Sequence, residues 1–254
     1  MPNPHGEPIW YELMTPDPKG SVAFYEPVVG WTVDAPLPGP VEYRIVQAPG
    51  AQLGGMLQMT PDMLEMGAKP AWLVYIGVDD VDTTAAKAKE LGGQVLVPPM
   101  DIPNVGRFSL LVDPQGAVFY IMRGSTDAVS TVFAPGEPGR CAWNELITTD
   151  VEAALAFYGP VFGWENRETM PMGPAGGYHF LDLGGKRLGA LMADKSQPAH
   201  WNLYFTVADI DAAVKTTSDK GGRIVLGPQV VPTGERVILG LDPQGAGFAL
   251  VGPG

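Results

Sequence analysis

Two glutamates occupy the same place in two copies of one pattern. Glu12 lies in W-Y-E-L-M-T and Glu145 in W-N-E-L-I-T, each two residues after a tryptophan, Trp10 or Trp143. In an extended strand, residues two apart face the same way, so each carboxylate shares a face with an indole. A carboxylate on a semi-buried aromatic face is harder to ionise, because desolvation penalises its charge. That makes Glu12 and Glu145 candidate general bases. The competing reading is a buried glutamate hydrogen-bonded to backbone amides or paired with an arginine, the usual fate of a buried charge. The single cysteine, Cys141, excludes an intramolecular disulfide and any cysteine-rich metal site. It has no histidine near it in sequence and reads as inert. The chain holds three histidines, His5, His179 and His200, and neither a GxSxG nor a Walker A loop.

These residues recur because the chain contains itself twice. Residues 8–31 and 141–164 agree at twelve of 24 positions, including Asp17/Asp150, Phe24-Tyr25/Phe157-Tyr158 and Gly30-Trp31/Gly163-Trp164. A-W-L-V-Y-I-G-V-D-D-V-D then matches H-W-N-L-Y-F-T-V-A-D-I-D, both copies reach a Gly-Gly pair, and both share D-P-Q-G-A near their ends. Three collinear matches define a duplicated unit of roughly 120 residues. The pattern predicts residues 1–124 as one domain, 125–139 as linker and 140–254 as the second domain. Val132 and Phe133 are linker residues with the chemistry to pack.

Each copy reads as strand, helix and three strands, twice over. Asp17 caps a helix with Pro18 at its first position, and Gly30-Trp31 ends it. Asp79 or Asp80 caps a second helix, Val81 to Leu91, which Gly92-Gly93 stops. D-P-Q-G is a turn between two strands. The fold class is therefore α+β, with four β-α-β-β-β modules in tandem. Trp72 and Trp201 have strand parity that directs them under the helices, and Trp31 and Trp164 read as core.

Lys and Arg number 16 against 28 Asp and Glu, a formal charge of −12. So acidic a chain repels phosphate backbones and anionic membrane surfaces, which excludes nucleic acid and membrane as expected partners. No stretch approaches the roughly 18 apolar residues of a membrane helix, and the N-terminus carries no secretory pattern. A cytoplasmic protein is the expectation.

The ordered motifs resemble the vicinal oxygen chelate superfamily, which holds glyoxalase I, bleomycin-resistance proteins and extradiol dioxygenases. The opening W-x-E-L-x-T-x-D of each half is similar to the two-domain, lactoylglutathione-lyase-related branch. The resemblance implies paired modules whose curved mixed sheets enclose cups, used for metal chemistry or for plain ligand binding. It places the family's metal-ligand positions on Trp10, Leu73 and Tyr120 in the first half and on Trp143, Asn202 and Ala249 in the second. The remaining position falls near residues 54–56 and 189–191, which offer no donor side chain. These are not metal ligands, Asn being a weak exception, so no metal and no other cofactor is expected. One improvised alternative would join His179, His200 and Glu145.

On the same implied faces, Tyr75 follows Leu73 and Tyr204 follows Asn202. The implied ligand-binding set is thus Trp10, Leu73, Tyr75, Tyr120, Trp143, His179, Asn202 and Tyr204. Such a set suits a small apolar or aromatic molecule held by stacking. Two alternatives stand beside it: a lyase or isomerase acting on a small carbonyl or thioether adduct, with Glu12 or Glu145 as base, and a structural protein whose cups are plugged by Trp10 and Trp143. A monomer or weak homodimer is expected, since duplication brings together internally what single-domain relatives join by dimerising.

Overall fold

The computed structural model describes residues 3–254. The first repeat runs β1 (Pro8–Thr15), α1 (Pro18–Val29), β2 (Thr32–Val33), β3 (Tyr43–Ala48) and β4 (Ala51–Gln58). It continues through a short α2 (Pro61–Glu65) to β5 (Ala71–Gly77), α3 (Val81–Glu90), β6 (Gln94–Ile102), β7 (Gly106–Val112) and β8 (Val118–Gly124). The second repeat has β9 (Cys141–Thr148), α4 (Val151–Phe162), β10 (Thr169–Pro171), β11 (Gly177–Leu183) and β12 (Lys186–Ala193). It closes with β13 (His200–Thr206), α5 (Ile210–Asp219), β14 (Arg223–Val230), β15 (Arg236–Leu241) and β16 (Gly247–Gly252). The four β-α-β-β-β modules read from the sequence are present. The turn of helix α2, opened by the Thr60 side chain on the Met63 amide, is an addition that the repeat pattern did not show.

Local chemistry explains the module. Every longer helix opens on an aspartate: Asp17, Asp80, Asp150 and Asp209 each accept a backbone N–H three residues on, at 2.7–3.0 Å. Of the two candidates before α3, Asp80 is the cap. Gly30 and Gly163 end α1 and α4 in the left-handed conformation, at φ 85° and 75°, which only glycine adopts without cost.

Each repeat forms one eight-stranded mixed sheet, in the order β2-β3-β4-β1-β5-β8-β7-β6 and β10-β11-β12-β9-β13-β16-β15-β14. The pairs β1/β4 and β5/β8 are parallel, as are their counterparts β9/β12 and β13/β16. No helix among the described residues is long and apolar enough to cross a membrane.

Compact packing divides the chain differently from the repeat. One unit runs to Ile9 and holds Val74–Ser130 and Trp143–Trp201; the other holds Trp10–Leu73, Thr131–Ala142 and Asn202–Gly254. Each unit therefore joins a module of one repeat to a module of the other. In the second unit, Tyr25 on α1 donates to Asp242 Oδ2 at 3.1 Å and receives the Trp72 indole N–H at 2.9 Å. Asp242 uses its other oxygen on the amides of Gln244 and Ala246, so one carboxylate organises the D-P-Q-G turn and receives the helix. In the first unit, Tyr158 on α4 donates to Asp113 Oδ2 at 3.0 Å, and Asp113 Oδ1 holds the amides of Gln115 and Ala117. The Trp201 ring meets Tyr158 edge to face at 5.8 Å.

A second exchange repeats the pattern. Trp31 donates to the Gly139 carbonyl and Trp164 to the Gly6 carbonyl, both at 2.8 Å. Trp72 and Trp201 pack under helices, as their strand parity implied, and Trp31 and Trp164, which follow the helix-ending glycines, lie in the core. The segment read as linker is partly packed. Val132 and Phe133 are buried, Phe133 bridges Cys141, and the buried Arg140 guanidinium holds the Thr131 and Pro49 carbonyls.

Removing the hydroxyl in Tyr25→Phe strips Asp242 and Trp72 of a buried partner at once, which costs about 1–3 kcal/mol. Tyr158→Phe should cost a similar amount through Asp113. Urea denaturation checks both, and an unchanged unfolding midpoint in either variant would show that the bond carries no stability.

Candidate functional site

The second repeat shows the site most fully. β9 and β12 pair in parallel with Glu145 opposite Ala190, and β11 pairs with β12 with Phe180 opposite Ala190. This register brings β11 to the face that carries Trp143 and Glu145. The Trp143 indole N–H donates to the Tyr178 hydroxyl at 2.8 Å, and that hydroxyl donates to Glu145 Oε1 at 2.8 Å. Glu145 is buried, whereas Trp143 and Tyr178 are half-buried. Burial first, and then the Glu145 charge, raise the Tyr178 pKa above its ordinary value. The phenol keeps its proton and acts as the donor that makes a buried carboxylate tolerable.

The first repeat builds the same cluster. Trp10 donates to the Tyr43 hydroxyl at 2.9 Å, and Tyr43 is hydrogen-bonded to the buried Glu12. Burial and the Glu12 charge push the Tyr43 pKa well above 10.0. Register shows why the ring fits. Ile45 lies opposite Gly55, and Gly55 lies opposite Glu12. A Cβ at Gly55 would collide with the Tyr43 hydroxyl and Cζ. The sequence reading found the tryptophans and glutamates but missed both tyrosines. Their signal was spacing: Tyr43 and Tyr178 each precede a Leu-Gly pair, Leu53-Gly54 and Leu188-Gly189, by the same interval.

The other candidate residues come from other strands. Tyr75 and Tyr120 are paired across β5 and β8 and stack with centroids 4.1 Å apart. Tyr204 is buried and lies opposite Ala249, Leu73 is buried in β5, and Asn202 is half-buried in β13. His179 alternates with Tyr178 along β11, so it points to the opposite face, where its Nδ1 meets the Thr169 hydroxyl at 3.2 Å. His200 Nδ1 lies 2.8 Å from the Pro198 carbonyl. His179, His200 and Glu145 therefore do not converge, and no group of three His, Cys, Asp or Glu that could hold a metal occurs among the described residues.

Four of the positions implied by the resemblance do not suit a metal. Leu73 and Ala249 have no donor atom, and the nitrogens of Trp10 and Trp143 carry hydrogens already given to tyrosines.

The chain matches the model of the Glyoxalase/Bleomycin resistance protein/Dioxygenase superfamily twice, over residues 8–121 and 139–250, and it belongs to that family. It is 34% identical over 252 residues to a Mycobacterium tuberculosis protein bearing the name "Putative glyoxylase CFP32", covering 98% of this chain and 95% of that one. It is 31% identical over 261 residues to the "Anthracycline biosynthesis protein DnrV" of Streptomyces peucetius, covering 97% and 93%. Solved structures share the fold at lower identity. The Mn(II)-bound glyoxalase from Novosphingobium aromaticivorans is 17% identical with a TM-score of 0.66, covering 98% of this chain and 82% of that one. A homoprotocatechuate 2,3-dioxygenase from Brevibacterium fuscum is 18% identical with a TM-score of 0.69, covering 98% and 72%.

Two outcomes test the cluster geometry. Gly55→Ala must displace Tyr43 from Trp10 and Glu12, and overpacking of this kind costs about 1–3 kcal/mol in urea denaturation. A variant of unchanged stability and unchanged tryptophan emission would contradict the packing. The second test uses pH. Tyr25, Tyr43, Tyr158 and Tyr178 all have folded pKa values raised above the ordinary 10.0. A raised folded pKa gives stability that is full below the unfolded value and is lost as pH climbs through the folded one. In an alkaline titration, the phenolate absorbance of these four tyrosines should appear only with cooperative unfolding; smooth titration in the folded protein would refute their burial.

Proposed function

We propose that the protein binds a small, flat aromatic molecule against its Trp-Tyr-Glu clusters, by ring stacking and without a metal. One observation carries this reading. Trp31, Trp72, Trp164 and Trp201 are 3%, 3%, 6% and 8% exposed, whereas Trp10 and Trp143, alike in position in the two repeats, are half-buried. Rings that plug a core are covered on both faces. Rings that line a binding surface are held at one edge and leave a face open. The indole N–H bond to tyrosine is such an edge anchor, and a ligand would stack on the ring it holds. This favours a binding wall over the plugged scaffold.

The relatives support the ligand class. The Streptomyces peucetius relative is named for the biosynthesis of anthracyclines, which are flat fused-ring aromatics. Binding of a small molecule fits the family, whose members include bleomycin-resistance proteins by name. The lyase reading has one observation on its side: each cluster presents a buried carboxylate, and Glu145 holds a hydrogen bond from Tyr178. Isomerisation of a hemithioacetal also needs an electrophile to stabilise the enediolate. The positions that the resemblance assigns to metal ligands offer none of the usual ones, so turnover of the methylglyoxal–glutathione adduct should stay near background with or without added metal. Robust metal-dependent turnover would reverse this reading.

Substitution separates wall from plug. For an aromatic probe found by thermal-shift screening, Trp10→Ala and Trp143→Ala should weaken binding by about ten- to a hundredfold while leaving the fold largely intact. Trp72→Ala, which empties a buried site, should cost about 3–5 kcal/mol of stability. If all three variants destabilise alike and no probe quenches wild-type fluorescence, the clusters are core and the proposal fails.

A further inference from the structure

We propose that the two clusters take different ligands: the second-repeat cluster is built for a flat, electron-poor, uncharged aromatic such as a quinone, and Phe180 against Ile45 decides the difference. The inference rests on the reading that the Trp-Tyr-Glu clusters bind small aromatics. The ladders make the two residues strict counterparts, because Ile45 stands opposite Gly55 as Phe180 stands opposite Ala190. The anchors are shared and the walls are not.

In the second repeat the ring planes of Trp143 and Tyr178 lie within 6° of each other. The indole N–H joins the two parallel rings through the Tyr178 hydroxyl. Phe180 stands perpendicular to both, at 87° to each, with centroids 6.0 Å from Trp143 and 5.7 Å from Tyr178. The result is two parallel rings meeting an upright one. The Arg187 guanidinium lies 4.0 Å over Phe180 and is itself fixed by Asp182 at 3.1 Å and Glu168 at 2.9 Å. In the first repeat the corresponding strand positions pair Gln47 with Gln52, where the second pairs Asp182 with Arg187. That wall therefore has an aliphatic Ile45 in place of the upright ring, and a glutamine in place of the cation behind it.

The electronic character of the second wall follows from its bonds. Indole is the most electron-rich of the side-chain rings. A phenol donating its proton to the Glu145 carboxylate pushes charge into its own ring. Stacking obeys the ring quadrupole, so a negative face prefers an electron-poor partner. The Glu145 charge and the net −12 of the chain work against anionic ligands.

The test uses the full chain with menadione as probe, followed by calorimetry and tryptophan quenching. Wild type should bind one menadione per chain strongly. Phe180→Ile should weaken that site about three- to tenfold, the worth of an aromatic pair. Ile45→Phe should create a second site of comparable strength. Naphthalene, of the same shape but electron-rich, should bind more weakly than menadione by a similar factor. Two equal sites in wild type, no effect of Phe180→Ile, or naphthalene binding as tightly as menadione would each overturn the inference while leaving the binding reading intact. If Phe180→Ile does not fold, Ile45→Phe decides alone, and failure to gain a second site overturns the inference. Absence of menadione binding, or binding that survives both Trp10→Ala and Trp143→Ala, brings down the underlying reading as well.

Discussion

Two buried tyrosine hydroxyls, on Tyr25 and Tyr158, hold the first helix of each repeat to the Asp-Pro-Gln-Gly turn of the other repeat. Each receiving carboxylate already closes its own turn through two backbone amides. Burial raises the pKa of Asp113 and of Asp242, and the tyrosine hydroxyl and turn amides work against that rise. A carboxylate in such surroundings is stable only when its lone pairs are met, so the Ala-Phe-Tyr helix and the turn require one another. Hydrogen-bonded sheets follow the repeat, while compact packing exchanges modules between repeats. Duplication supplied two complementary copies of each part, so one chain satisfies both demands.

The Trp-Tyr-Glu clusters obey the same rule at half-buried positions. A tryptophan that can only donate meets a hydroxyl that both accepts and donates, and a carboxylate that only accepts ends the chain. The order of donors and acceptors leaves each tyrosine protonated and each ring fixed at one edge. At Trp10 and Trp143 the single ring nitrogen carries a hydrogen and gives it to a tyrosine, so neither indole offers a metal a lone pair. With the anchors held constant in both repeats, the walls were free to diverge, to Ile45 and Gly55 in one and Phe180 and Ala190 in the other.

Legibility followed distance along the chain. Trp10 with Glu12, and Trp143 with Glu145, could be paired in sequence because strand alternation puts residues two apart on one face. Tyr43 and Tyr178 escaped notice because they join their clusters from another strand, at separations of 33 and 35 residues from the tryptophans. The same alternation, applied to β11, separates His179 from its neighbour Tyr178 and removes it from the cluster. The carboxyl of the Asp-Pro-Gln-Gly turn was legible as a turn former, since its amide partners are two and four residues away. Its second role, receiving a tyrosine 45 or 217 residues distant, was not.

The sequence by itself determined the duplication, the four modules, the aspartate caps, the glycine stops and the core tryptophans. All of these rest on residue type and short-range periodicity, which are complete in the linear string. The tertiary structure alone decided that modules pack across the repeats, that tyrosines bridge indole to carboxylate, and that Trp10 and Trp143 stay half-buried. Those outcomes depend on strand register and on helices meeting turns far along the chain, and contacts of that kind exist only once the backbone has closed its long loops.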